Sequence, residues 1–256
     1  MGSRAALHHE RTGSGSPPLV FIPGWCCDTS GFEPQVEHFS RRHEVVVLDL
    51  RGCGRSGPGA SYAIEEHADD VAALCRELGL EQPVVAGHSL GGMVALELAS
   101  RHPSLVGAVI GLDPGPFDLL PEKRRLFEAH AAAMSGPDGA AARRALVEAN
   151  FLPGDGSDRR RRIVETMLAV PAEVAGPSFE AALHWNGAGA LQRCEVPLLV
   201  VLAQPLGSNA PARLLALKPD LEIGMTVGAG HFLHLDAPEQ VNAMIDRFLA
   251  ARVLVA

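Results

Sequence analysis

The sequence predicts an α/β protein with a mostly parallel sheet of seven or eight strands and helices on both faces. Short apolar runs rich in Val, Leu and Ile alternate with longer stretches whose apolar residues repeat at helical spacing. Polar residues follow several of these runs directly, at what would be the carboxyl ends of parallel strands, where ligands bind. A length of 256 residues, 47% of them apolar, suits one such domain with an insertion.

The composition argues against several classes of partner. A net charge of −8 disfavours nucleic acid. The five cysteines include no Cys-x-x-Cys pair, which disfavours a disulfide framework or a zinc site, and His231 and His234 lack a further ligand at a diagnostic spacing. The polar N-terminus and the lack of a long apolar run predict a soluble, cytoplasmic protein. We expect a monomer or a homodimer. We expect a small-molecule ligand, no membrane partner, no metal and no cofactor.

The first part of the chain contains three predicted strands, at residues 5–11, 19–22 and 45–48. The glycine-rich loop 49–57 follows the third strand, but it lacks the Gly-Lys-Ser/Thr ending of a phosphate-binding loop. A helical stripe over residues 64–78 then ends at Gly79.

Residues 84–93 change from strand to helix within a few positions. The apolar run 84–86 is typical of a buried strand, and helical spacing begins at Gly91. Ser89 lies at this junction inside Gly-x-Ser-x-Gly, where Gly87 and Gly91 supply positions without a Cβ. The pattern predicts a serine hydroxyl exposed at the carboxyl edge of the sheet, with a helix N-terminus behind it.

The strand–helix alternation breaks after the next predicted strand, residues 105–112. Residues 117–179 contain short helical stretches separated by Gly and Pro, which we interpret as a lid between the two parts of the core, residues 1–116 and 180–256. The core resumes with predicted strands at 198–202 and 221–227. A final helix is expected to begin with Asp236 as its N-cap and Glu239 completing a capping box.

Four motifs, spread over most of the chain, give it a resemblance to the α/β-hydrolase fold family. They are Pro23-Gly24-Trp25, Asp49-x-Arg51-Gly52-x-Gly54-x-Ser56, Gly87-His88-Ser89-Leu90-Gly91-Gly92 and Gly230-His231. The resemblance implies an eight- or seven-stranded α/β-hydrolase sheet with a small helical lid. It says little about the substrate, because this fold hosts many reactions.

The resemblance also implies roles for individual residues. Ser89 would be the nucleophile of a serine hydrolase and His231 its base, while the backbone N–H groups of Trp25 and Leu90 would form an oxyanion hole. His88 is expected to pack beside the strand-to-helix turn at Ser89, called the nucleophile elbow in this family, instead of acting as the base. His234 is a candidate for the pocket wall.

The acid partner of His231 departs from the usual pattern. Family members resembling this chain usually carry it in the segment that corresponds to residues 203–210, which has no carboxylate here. Gln204 and Asn209 could orient the imidazole but cannot balance its charge. Asp113 ends the strand after the nucleophile strand and is predicted to be the acid; the alternative is that it only turns its loop.

The leading prediction is a cofactor-independent hydrolase that cleaves an ester, thioester or lactone through an acyl-enzyme on Ser89. An apolar lid predicts a partly apolar substrate. The residues expected to provide apolar surface are Phe117, Leu119, Leu120, Phe127, Phe151, Phe179, Trp185 and Phe232. For Trp185, packing in the core remains an equal alternative.

Two other functions remain open on the same fold. The His231–Asp113 pair could deprotonate a substrate, as in the cofactor-independent dioxygenases and hydroxynitrile lyases that this chain also resembles. A non-catalytic ligand-binding member is the third possibility. Haloalkane dehalogenases and epoxide hydrolases of this fold use an aspartate nucleophile, whereas the elbow here carries Ser89.

Overall fold

A computed structural model describes residues 5–117, 119–203 and 209–254. Its seven described strands form one sheet in the order β1-β3-β2-β4-β5-β6-β7, in which only β1 is antiparallel to its neighbour. The strands are β1 His9–Thr12, β2 Leu19–Ile22, β3 Val45–Leu48, β4 Val84–His88, β5 Ala108–Leu112, β6 Leu198–Leu202 and β7 Glu222–Met225. The predicted fold class is therefore confirmed, with seven strands.

The five central strands are buried on both faces, which explains why they are continuous apolar runs. Neighbouring residues of one strand face opposite layers, since side chains alternate along a strand. On β2, for example, Val20 and Ile22 belong to one core cluster, and Leu19 and Phe21 belong to the other. The site described below lies at the carboxyl edge between these layers.

Helices cover both faces. They are α1 Glu33–Phe39, α2 Ile64–Glu77, α3 Leu90–Arg101, α4 Pro121–Met134, α5 Gly139–Glu148, α6 Ser157–Ala169, α7 Ala172–His184, α8 Gly187–Arg193, α9 Pro211–Leu217, α10 Leu233–Asp236 and α11 Pro238–Arg252. Helices α2, α3 and α8 supply the first core layer, and α1 and α11 the second. Among the described helices, none combines the length and the apolar character that crossing a membrane requires.

Helices α4–α7, residues 121–184, form what we call the helical insertion. Within it, α4 contacts α5 and α7, and α5 also contacts α6. The predicted boundary at residue 179 falls inside α7, because this helix continues to His184. Helix α4 has no buried residue, so it lies on the outside of the insertion.

Three details of the predicted elements were wrong. The final helix begins at Pro238 with Ala237 as its N-cap, and Asp236 instead binds Arg159 of α6. The predicted edge strand at residues 5–11 is β1, His9–Thr12. The predicted strands 105–112 and 221–227 are shorter, because pairing with β4 begins only at Ala108 and pairing with β6 covers four residues.

Candidate active site

Ser89 lies at a strained junction between β4 and α3. Its φ of 52° and ψ of −117° are unusual for a residue with a side chain. The two motif glycines allow this tight turn: a Cβ at Gly87 would collide with the backbone of Gly91, and a Cβ at Gly91 would collide with the backbone of Ile22. Close backbone packing therefore holds the Ser89 hydroxyl at the carboxyl edge of the sheet.

His231 lies between Ser89 and Asp113. Its Nδ1 is 2.6 Å from Oδ2 of Asp113, and its Nε2 is 3.0 Å from Oγ of Ser89. Because a carboxylate only accepts hydrogen bonds, Nδ1–H donates to Asp113 and Nε2 is left to accept from the serine hydroxyl. The structure thus brings the three predicted residues together in a geometry that can draw a proton from Ser89.

Asp113 is fixed by its surroundings. It is 5% exposed, its φ of 39° lies in the left-handed region, and its Oδ1 accepts from the backbone N–H of Ala203. The side-chain amide of Asn209 donates to the carbonyl oxygens of Pro114 and Gly115, which follow Asp113. The suggestion that Asn209 orients the imidazole was therefore wrong, since this amide holds the Asp113 loop. Gln204 lies outside the described residues.

The loop after β2 approaches the elbow from the opposite side. A Cβ on Gly24 would lie 3.2 Å from Cβ of Ser89, so the loop backbone passes close to the serine. The indole N–H of Trp25 donates to the carbonyl oxygen of Ala175 and to Oγ of Ser178, which ties this loop to α7. Leu90 directly follows Ser89 at the start of α3, and Trp25 and Leu90 both line the cavity that contains Ser89.

The glycine-rich loop 49–57 is hydrogen-bonded to the segment that follows β2. The carboxylate of Asp49 accepts from the backbone N–H groups of Thr29 and Arg55, at 2.7 and 2.8 Å. Burial raises the pKa of Asp49, and these two hydrogen bonds oppose that shift. Arg51 is buried and bound to Asp70. The motif residues of this loop therefore contact other protein groups, which is a structural use of the motif.

Two further histidines lie beside His231 and are buried. Nε2–H of His88 donates to the carbonyl oxygen of His231 at 2.9 Å, so His88 holds the backbone of the base. Burial, together with His234 and His231 nearby, lowers the pKa of His88 well below its ordinary value, and burial lowers that of His234 to about 3. Both rings are therefore neutral near neutral pH. His234 lines a neighbouring cavity of about 580 Å³ instead of the one that contains Ser89.

A cavity of about 340 Å³ opens above Ser89 and His231. The sheet edge forms its floor, and the helical insertion supplies much of its wall. Its apolar wall residues include Met93, Phe127, Leu146, Phe151, Met167, Phe179, Leu183 and Phe232. Such a cavity, apolar apart from a few groups next to the serine, suits a small molecule with an apolar portion.

The predicted pocket residues divide into two groups. Those that line the cavity are Phe127, Phe151, Phe179 and Phe232, and those that do not are Phe117, Leu119, Leu120 and Trp185. Phe117 is buried with its ring 6.0 Å from that of Trp185, whose indole N–H donates to Glu97 at 2.8 Å. These two aromatic residues therefore anchor the insertion in the core. Leu119 lies half-buried between that anchor and α4.

Several wall residues were missed from the sequence. They include Leu146, Asn150 and Leu183. Leu183 comes four residues after the predicted Phe179 on α7, and residues at that spacing share one side of a helix. This spacing is the signal that could have found Leu183. Among the described residues, no group of three or more His, Cys, Asp or Glu side chains is arranged to hold a metal ion.

The chain is similar to proteins of one fold family and to proteins described as hydrolases. A profile of the alpha/beta hydrolase fold family matches residues 17–146. The chain is 28% identical over 268 residues to a 2-(acetamidomethylene)succinate hydrolase from Mesorhizobium japonicum, covering 97% of this chain and 93% of that protein.

Solved structures share the whole fold. Est816, described as an N-acyl homoserine lactone degrading enzyme, has a TM-score of 0.78 and 28% identity, with 95% of this chain and 97% of that chain covered. A thermophilic esterase from Thermogutta terrifontis has a TM-score of 0.84 and 24% identity, with 96% and 93% covered. The second likeness bears on the fold alone.

Proposed function

The chain belongs to the α/β-hydrolase fold family, and from that premise we propose that it is a cofactor-independent serine hydrolase that cleaves an ester, thioester or lactone. The observation that carries the proposal is the hydrogen-bonded series from Asp113 through His231 to Ser89 at the floor of an apolar cavity. The hydrolase and lactone-degrading relatives support the same class of reaction.

In the first step, Oγ of Ser89 attacks the carbonyl carbon while Nε2 of His231 takes the hydroxyl proton. The carbonyl oxygen becomes an oxyanion, to which the N–H groups of Trp25 and Leu90 would donate; one such donor lowers the barrier by about 3 kcal/mol. The carboxylate of Asp113 stabilises the imidazolium and keeps its ring oriented.

In the second step, the tetrahedral intermediate collapses and the bond to the leaving oxygen or sulfur breaks. His231 returns the proton from Nε2 to the leaving group, which leaves an acyl group on Ser89. A water molecule, deprotonated by the same nitrogen, then attacks the acyl carbon. The bond from the acyl carbon to Oγ of Ser89 breaks, His231 returns the proton to Oγ, and the carboxylic acid leaves.

The cavity wall favours an apolar acyl group. Phe127 of α4 and Phe179 of α7 approach each other with ring centres 6.0 Å apart, and both face the space above the serine. Burying apolar surface there contributes roughly 25 cal/mol per Å² to binding. We therefore propose that the helical insertion acts as a lid and selects the substrate by its apolar part.

The direct test combines labelling and turnover. A fluorophosphonate probe should label Ser89 irreversibly, and Ser89→Ala should abolish both labelling and hydrolysis of para-nitrophenyl esters. Exposed Ser30→Ala is the control and should keep both. If Ser89→Ala retained turnover while His231→Ala lost it, the reaction would be proton abstraction by the histidine instead of acyl transfer.

A further inference from the structure

The helical insertion is fastened to the segment that carries His231. We call residues 230–236 the histidine loop. Phe151 of the insertion stacks on Phe232 with ring centres 5.1 Å apart and planes 18° apart. A Cβ on Gly230 would lie 3.1 Å from Cγ of Leu152, so the backbone before His231 passes directly under the insertion.

An ion pair between Arg159 and Asp236 also joins the two segments. The guanidinium of Arg159, near the start of α6, donates to Oδ1 of Asp236. The Asp236 side chain is only 5% exposed, and that of Arg159 is 31% exposed. Two other ion pairs of the insertion, Arg144–Glu148 and Arg161–Asp158, lie within single helices and are well exposed. A pair that joins two segments around a buried carboxylate has more effect than exposed pairs of this kind.

The surroundings of Asp236 make Arg159 important. Oδ2 of Asp236 is buried without a hydrogen-bond partner, and the nearby Asp155 carboxylate adds to the effect of burial in raising the Asp236 pKa. Arg159 and the Gly230 backbone oppose that shift. Without the guanidinium, Asp236 would be an uncompensated buried charge close to a second carboxylate, and the two segments would separate to hydrate it.

We propose that the Arg159–Asp236 pair is a positioning contact, which holds the insertion against the histidine loop and thereby sets how closely the cavity wall encloses the substrate above Ser89. Neither residue touches the reacting atoms. Asp236 acts through the short segment that it shares with His231, and Arg159 acts through α6, which contributes Met167 to the cavity wall. The expected consequence for catalysis depends on the proposed hydrolase function.

The test compares Arg159→Met with Arg161→Met. Both variants remove a guanidinium from α6 and keep an unbranched side chain, but only Arg159 reaches the histidine loop. By hydrogen–deuterium exchange, Arg159→Met should make the amides of residues 149–160 and 228–237 exchange about tenfold faster than in the wild type. Arg161→Met should leave both segments unchanged.

Kinetics on enzyme titrated for active sites supply the second readout. Arg159→Met should raise KM for para-nitrophenyl octanoate about tenfold and change kcat for the acetate ester by less than about twofold, because the wall contacts the long chain. A purely structural role would lower Tm and leave KM of the folded enzyme unchanged. If Arg159→Met folds poorly, Asp236→Ala repeats both measurements, since it removes the acceptor for Arg159 and leaves no buried carboxylate behind.

Two results separate the proposals. Exchange rates and KM in Arg159→Met equal to those in Arg161→Met would overturn the positioning role. A wild type that neither hydrolyses esters nor reacts with a fluorophosphonate would overturn the hydrolase proposal instead. The exchange comparison would still decide whether the ion pair holds the two segments together.

Discussion

The sheet edge and the helical insertion build the same cavity in different ways. At the sheet edge, Ser89 directly follows β4, Asp113 directly follows β5, and His231 lies in the segment between β7 and α10. These three residues are held by hydrogen bonds to each other and to the backbone. Ser89 and Asp113 also have positive φ values, which persist only where the surrounding structure fixes them. In the insertion, α4 has no buried residue and contributes Phe127 from a half-buried position.

We therefore expect the sheet edge to carry out the chemical step and the helical insertion to select the substrate. Polar groups that must keep hydrogen-bond geometry lie on the sheet, where burial on both sides leaves them little freedom. Several apolar wall residues of the insertion, such as Phe127 and Phe179, are only half-buried, which leaves room for small shifts as a substrate packs. Substitutions at the sheet edge should therefore change kcat by orders of magnitude, and substitutions in the insertion should change KM and the preferred substrate size.

The largest expected effect concerns Asp113. Asp113→Asn should lower kcat about ten-thousand-fold, because an amide at this position favours the wrong imidazole tautomer and cannot balance its charge. The fold should persist, since an Asn oxygen can still accept from the Ala203 N–H that now binds Oδ1. Steady-state kinetics and thermal unfolding measure the two properties.

Asp69→Asn is the matched control for Asp113. Asp69 is a carboxylate on α2 that pairs with Arg101 and His102 at the surface, and it does not line the cavity. Its kcat should stay at the wild-type level. Nearly full activity in Asp113→Asn would mean that this carboxylate only shapes its loop, and the contrast between the two regions would then be much weaker.

A smaller effect is expected from adjacent residues of α4. Phe127→Ala should raise KM for para-nitrophenyl octanoate about tenfold, because the ring lines the cavity and its apolar contact with the acyl chain is lost. Leu126→Ala is the control, since Leu126 is 55% exposed on the same helix. Equal KM values in the two variants would show that α4 does not select the substrate.

The smallest expected effect is the contribution of His67, a buried residue of the core, to the pH dependence of stability. Burial, with the Arg51 charge nearby, lowers the pKa of His67 on α2 from its ordinary 6.5 to about 3. In the unfolded chain His67 therefore binds a proton below about pH 6.5, whereas in the folded protein it stays neutral down to about pH 3. The stability contributed by neutral His67 is complete above this window and is lost as the pH falls through it.

Urea unfolding measures this effect. As the pH falls from about 7.5 to about 5.5, the free energy of unfolding should decrease by about 1.4 kcal/mol, because His67 is protonated in the unfolded chain and stays neutral in the folded protein. His67→Leu should remove this part of the loss, since neither ring nitrogen has a hydrogen-bond partner to lose. The exposed His184→Gln in the insertion should leave the loss unchanged. A loss in His67→Leu as large as in the wild type would contradict the assignment to the core.

Much of the sheet and of its carboxyl edge could be predicted from the sequence. The strands β2, β3, β4 and β6 are continuous apolar runs because they are buried on both faces, and such runs are visible without any tertiary information. The Ser89 turn is encoded within a few residues, since it depends on the missing Cβ atoms of Gly87 and Gly91. The meeting of Asp113 with His231 follows from parallel strands ending at one edge.

Only the tertiary structure decided which side chains of the insertion face the cavity. Phe117 and Trp185 are large and apolar, as pocket residues often are. In the structure their rings contact each other, and Trp185 also donates a hydrogen bond to Glu97, so both side chains lie in the core. In the sequence, Asp236 stands where a helix cap is expected, but in the structure it pairs with Arg159, which is distant in sequence. A local pattern fixes backbone shape and strand ends, whereas the direction of a side chain on a short helix depends on which distant residue it meets.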